Sequence, residues 1–116
     1  MTRILAIDDD RGALEIRKLL LERAGHSVAI ASSADQARTL FEQTHPEIVI
    51  CDLRLPELAD GLALIREFHG SARVIVTCGS DADLQGREEA SMVEAVLVKP
   101  LRSEELVRLM ATNAHK

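Results

Sequence analysis

The sequence predicts an α/β fold: one doubly wound, five-stranded parallel sheet with helices on both faces. Short apolar runs, mostly rich in Ile and Val, occur five times, as strands buried on both faces should. Segments of helical period separate them, so strand and helix alternate along the chain. A length of 116 residues suits a single domain with one modest core. Residues 1–116 show no linker, internal repeat or low-complexity tract, and read as one unit.

The first run is "RILAI", followed by the helical segment "GALEIRKLLLERAG", where Leu, Ile and Ala recur every three or four residues. Gly25 is placed to end that helix in a left-handed cap. After "SVAIA", the second helix opens with "SADQ", Ser33 to Gln36, a capping-box pattern. It should stop before Pro46, because proline pushes His45 out of helical geometry. "EIVIC", "RVIVT" and "AVLV" are the remaining strands, and the last helix starts near Ser103, carrying Leu106, Val107, Leu109 and Met110. Five helices are expected in all. Right-handed crossovers leave few topologies, one of them the flavodoxin-like order 2-1-3-4-5.

Composition narrows the function. The apolar content of 47% and charged content of 28% are those of an ordinary globular protein. A net charge of −5 argues against a nucleic-acid surface, which needs a basic patch. No apolar run approaches the roughly 20 residues that span a bilayer. "MTRILAIDDD" has too short an apolar stretch and too many acids for a secretory signal, so the cytoplasm is the expected compartment. Cys51 and Cys78 fit no metal spacing and are expected as reduced, buried thiols. His26, His45, His69 and His115 are scattered among expected turns and the C-terminus, like solvated loop residues.

Parallel strands end on one edge of the sheet, and ligands bind outside those carboxyl ends. The residues after each run therefore converge: Asp8 to Asp10 after the first, Asp52 after the third, Thr77 at the end of the fourth, Lys99-Pro100 after the fifth. Clustered carboxylates repel unless a cation sits among them. Oxygen donors without a His or Cys cluster favour a hard ion such as Mg²⁺. A metal, a lysine and a hydroxyl around one carboxylate are what phosphoryl transfer to that carboxylate requires.

With "RILAIDDD", "ICDLRLPELADG", "VIVTCGS" and "VLVKPLRSEEL" in order, the chain resembles the receiver domains of two-component response regulators, the CheY-like family. The resemblance covers essentially the whole chain. It implies that Asp52 is the phospho-acceptor, and that Mg²⁺ is held by Asp9 and Asp52 directly, by Asp8 through water and by the backbone carbonyl of Arg54. It implies that Thr77 hydrogen-bonds the transferred phosphoryl group, that Lys99 pairs with it, and that the Lys99-Pro100 bond is cis. The implied donor is a sensor histidine kinase or phosphotransfer protein. The implied outlets are an output domain, a downstream protein, or a homodimer formed through helix 4, strand 5 and helix 5. Arg54 and Gly79 stand where the family's rate of phosphate loss is often tuned.

The chain departs from the family in four places. Pro56 and Gly61 stand one residue further apart than usual, so "ELAD" is expected to bulge beside the acceptor. Val96 replaces a common Tyr or Phe. Cys78 replaces a very small residue beside Thr77, where a tolerated thiol is the plain reading and control of access or oxidation the alternative. The fourth-helix segment, "SDADLQGREEASMVEA", is weakly apolar and contains Gly86, at a cost of about 1 kcal/mol, and the family's Gly before strand 5 is lost near Met92. A short or mobile helix that signals by an order–disorder change is expected there.

Bland readings stand beside each residue. Strand-terminal Asp and Thr are common turn formers, Lys99 alone reads as a solvated lysine, and Asp10 reads as a first-turn helix acid. Two other functions compete: an unphosphorylated receiver serving as a binding or dimerisation module, and a small haloacid-dehalogenase-type phosphatase. The phosphatase needs Asp8 as nucleophile and Asp10 as general acid, and leaves Asp52 unexplained.

Overall fold

The computed structural model describes residues 2–113; His115 lies outside them. The strands are β1 (Arg3–Ile7), β2 (Ser27–Ala31), β3 (Ile48–Asp52), β4 (Arg73–Cys78) and β5 (Ala95–Val98), and the helices α1 (Arg11–Arg23), α2 (Ala34–Thr44), α3 (Leu58–Phe68) and α4 (Ser103–Asn113). All strand pairs are parallel, in the order β2-β1-β3-β4-β5.

Strand alternation divides the core into two layers. Leu5, Ile7, Val49 and Cys51 face α2 and α3, while Ile4, Ala6, Ile48 and Ile50 face α1 and α4. The chain's two phenylalanines, Phe41 of α2 and Phe68 of α3, stack with centroids 4.1 Å apart. On the surface of the same helix pair, Arg38 meets both oxygens of Glu67 at 2.8 Å.

The helix boundaries follow local chemistry. Gly25 has φ +99°, the left-handed geometry expected after α1. Ser33 Oγ accepts from the Gln36 N–H, but Gln36 answers the Ser32 N–H instead of completing the reciprocal box on Ser33. His45 leaves the helix with φ 48° just before Pro46.

Two expectations are corrected. There are four α-helices among the described residues, not five: between β4 and β5 the chain forms two 3₁₀ turns, Asp81–Asp83 and Glu88–Met92. Gly86 between them sits at φ +75°, outside helical geometry, and the segment has too few apolar residues to specify a longer helix. Nor does "ELAD" bulge. Leu58 to Asp60 form the first turn of α3, where the Asp60 carboxylate accepts from the Glu57 N–H at 3.2 Å. The stretch after Glu57 is taken up in helix, and Gly61, next along α3, lies against the Leu53 backbone.

Candidate functional site: an acid cluster at the carboxyl edge of the sheet

Four strand ends place the site. Asp8 follows β1, Asp52 closes β3, Thr77 is the fifth residue of β4, and Lys99 follows β5. Asp52 and Thr77 are register partners, and the Leu53 N–H donates to the Thr77 carbonyl at 2.9 Å. The Lys99 N–H donates to the Cys78 carbonyl at 2.7 Å, which fixes where its side chain starts. The Lys99-Pro100 bond is cis, as the resemblance implied, and so is Leu55-Pro56.

One carboxylate oxygen from each of Asp8, Asp9 and Asp52 lies within 4.8 Å of the others. Asp8 is 1% exposed and Asp52 5%, while Asp9 faces solvent. Lys99 Nζ reaches Asp52 Oδ2 at 3.1 Å and Asp8 Oδ2 at 3.4 Å. Asp10 departs from the expected first-turn role. It is the N-cap of α1, its Oδ1 accepting from the Ala13 N–H at 3.1 Å. That bond ties one oxygen of the acid that the phosphatase reading needs as its general acid.

The cluster separates its two buried acids electrostatically. Burial pushes the Asp8 carboxyl up, but the Asp10 N–H, Lys99 and Arg17 together hold it below the ordinary range. Burial and the neighbouring Asp8 charge push Asp52 up, with Lys99 opposing. Burial pulls Lys99 down, yet its bond to Asp52 and the two carboxylate charges leave it raised. Asp8, with three positive or donor neighbours, is thus the better stabilised anion, and Asp52, with Lys99 alone against burial and Asp8, the less stabilised one.

Thr77 Oγ1 is fully buried and has no hydrogen-bond partner among the described residues. An unpaired buried hydroxyl is costly, and this one stands beside Asp52 in the sheet. Three carboxylates with no nitrogen or sulfur donor fit a hard divalent cation. Those two observations fit both a metal ion and an oxyanion at this edge.

Arg17 was missed by sequence reasoning. It is buried in α1, with Nη2 3.7 Å from Asp8 Oδ2. The signal was present: Leu14, Arg17 and Leu21 occupy one helical stripe, so this arginine falls where a core residue belongs. Arg54, by contrast, turns its side chain away from the acids to meet both oxygens of Asp83 at 3.2 Å, joining the loop after β3 to the first 3₁₀ turn. Cys51 and Cys78 are buried free thiols, as expected, and burial pushes both thiol pKa values up. Val96 lies on β5 with its side chain partly open to solvent.

The model of the response regulator receiver domain matches residues 4–111. The chain belongs to that family. It is a receiver domain of two-component response regulators, as the resemblance implied. The alginate biosynthesis transcriptional regulatory protein AlgB of Pseudomonas aeruginosa is 35% identical over 90% of this chain, which spans 24% of AlgB. The sensor histidine kinase AruS of the same organism is 33% identical over 92% of the chain, which spans 11% of that protein. A solved CheY-like receiver domain from Methylobacillus flagellatus superposes with a TM-score of 0.85 at 25% identity, covering 97% of this chain and 98% of that one. The receiver fold accounts for the strand order and for the acids at one edge. No helix among the described residues is long and apolar enough to cross a membrane.

Proposed function

We propose that this receiver accepts a phosphoryl group on Asp52 from a phosphohistidine of a sensor histidine kinase or phosphotransfer protein, in a Mg²⁺-dependent reaction in the cytoplasm. A carboxylate oxygen of Asp52 attacks phosphorus, the P–N bond to the donor imidazole breaks, and an acyl phosphate forms. Asp8, Asp9 and Asp52, with the Arg54 carbonyl, would hold the metal. When bound, the metal ion would supply charge neutralisation at the phosphoryl oxygens. Lys99 moves from the Asp52 carboxylate to a phosphoryl oxygen, and the Thr77 hydroxyl gains the acceptor it lacks. The carrying observation is the convergence of Lys99, the orphaned Thr77 hydroxyl and the acid cluster on Asp52.

Phosphorylation changes the charge and shape of Asp52 and biases a two-state equilibrium. The face formed by the 3₁₀ segment, β5 and α4 carries the change to an output domain, a downstream protein or a second copy of the chain. It does so without an aromatic rotamer switch, since Val96 stands at that position.

The test is intact mass after incubation with Mg²⁺ and acetyl phosphate, or a phosphorylated sensor kinase, with Asp52→Asn in parallel. The expected result is a gain of one phosphoryl group, labile to hydroxylamine and absent from the variant. No gain with either donor overturns the proposal and leaves the unphosphorylated binding module as the reading to pursue.

A further inference from the structure

A cleft of about 390 Å³ between α1 and α4 opens beside the acid cluster, with Asp8 and Lys99 in its lining, and phosphoryl transfer gives no role to its apolar walls. That volume lies within the roughly 300–1,000 Å³ of small-molecule sites. Ile16 and Leu20 form the α1 wall, Leu106 and Val107 the α4 wall, and Arg17 and Arg102 line the cleft with them. Ile16 is 62% exposed, an apolar side chain left open to water beside an apolar groove.

Arg17 makes the cleft more than a packing defect. Its side chain is 8% exposed. Its Nη1 is buried and has no hydrogen-bond partner among the described residues. Asp8 satisfies the charge from one side at 3.7 Å, beyond hydrogen-bond length. A guanidinium nitrogen stripped of water and left unpaired is expensive, and a planar carboxylate is the group whose geometry completes it. Lys99 and Asp8 border the cleft already engaged with each other and with the acid cluster, so Arg17 Nη1 and the exposed Arg102 are the groups left to meet a ligand.

We propose that this cleft binds a small amphipathic carboxylate, with its apolar body between Ile16, Leu20, Leu106 and Val107 and its carboxylate on Arg17. Arg102, exposed at the cleft, adds positive potential along the approach. The occupant is a free organic acid. A neutral apolar molecule leaves Arg17 Nη1 unpaired, and a cation offers it no acceptor.

The test uses the full chain without metal or phosphodonor, so its outcome is independent of chemistry at Asp52. Octanoate, and separately its neutral analogue octanamide, are titrated into ¹⁵N-labelled protein while amide shifts are followed. The expected result is saturable one-to-one binding of octanoate with shifts centred on α1 and α4. Loss of a charge-assisted hydrogen bond weakens binding about tenfold or more, so octanamide and Arg17→Met should each show that loss. Val107→Trp, which fills the cleft from a half-buried position, should abolish binding. Should Arg17→Met fail to fold, Arg102→Met, with a smaller loss, and Val107→Trp carry the test. No saturation by octanoate, equal affinity for octanamide, or unchanged affinity in the folded variants overturns the proposal.

Discussion

Lys99 bridges Asp52 and Asp8, its Nζ 3.1 Å from one carboxylate and 3.4 Å from the other. One ammonium is therefore shared between two buried acids that would otherwise face each other unscreened. Lys99→Met should destabilise the metal-free protein by about 1 kcal/mol, less than a fully buried charge-assisted bond because water reaches the lysine. Chemical denaturation with and without Mg²⁺ checks it, since a cation in the cluster should recover part of the loss.

Asp52 is raised above its ordinary value, so folding takes up a proton there. Above the raised folded value the carboxylate is charged in both states, and folding bears the full cost of burying it. Below the ordinary unfolded value it is protonated in both states, and the cost vanishes. Asp52→Asn should therefore be more stable than the parent near neutral pH without metal, with an advantage that shrinks as pH falls. Added Mg²⁺ should reverse the order, because a ligand at 100 times its Kd stabilises the parent by about 2.7 kcal/mol. Tm measured across pH, with and without Mg²⁺, reads both effects.

Gly61 packs its Cα against the Leu53 backbone so closely that an added Cβ would lie 1.9 Å from the Leu53 carbonyl oxygen. Backbone cannot swing aside as a side chain can. Gly61→Ala should cost about 3 kcal/mol, the upper end of ordinary overpacking, whereas Gly70→Ala, where nothing lies within 4 Å, should cost far less. Urea midpoints of the two variants give the comparison.

Cys51 and Cys78 are buried, and burial is the largest cause raising each thiol. Only the thiolate alkylates. At about pH 8.5, where an ordinary thiol is half ionised, iodoacetamide should leave both cysteines unlabelled in native protein and modify both in urea. Rapid native labelling of Cys78 would instead show the site open to oxidation beside Thr77.

The acids, Thr77 and Lys99 were legible because parallel strands must end on one edge, so residues distant in sequence converge whatever the loops do. Arg17 was illegible as a site residue because "EIRKLL" reads as a charged helix surface. Only its place between Leu14 and Leu21 on the buried stripe marks it. The segment after β4 was half legible. Weak apolar content and Gly86 signalled a poor helix, but nothing local distinguishes a short α-helix from two 3₁₀ turns. The loop after Pro56 was misread because a count of residues does not say whether an addition enters loop or helix, and α3 took it up.

β5 ends the sheet, paired on one side only with β4, and the 3₁₀ segment leaves Val96 and Val98 open on one face. A short apolar strand with an unpaired backbone edge is a template for a second chain. Glu94 and Lys99 flank "AVLV" with opposite charges, and Pro100 has no N–H to extend the pairing. Charge and proline at the ends of such a run act as gatekeepers against edge-to-edge growth. Pro100, next to the lysine of the acid cluster, thus limits how far a second chain can pair along β5, and replacing it should lower solubility.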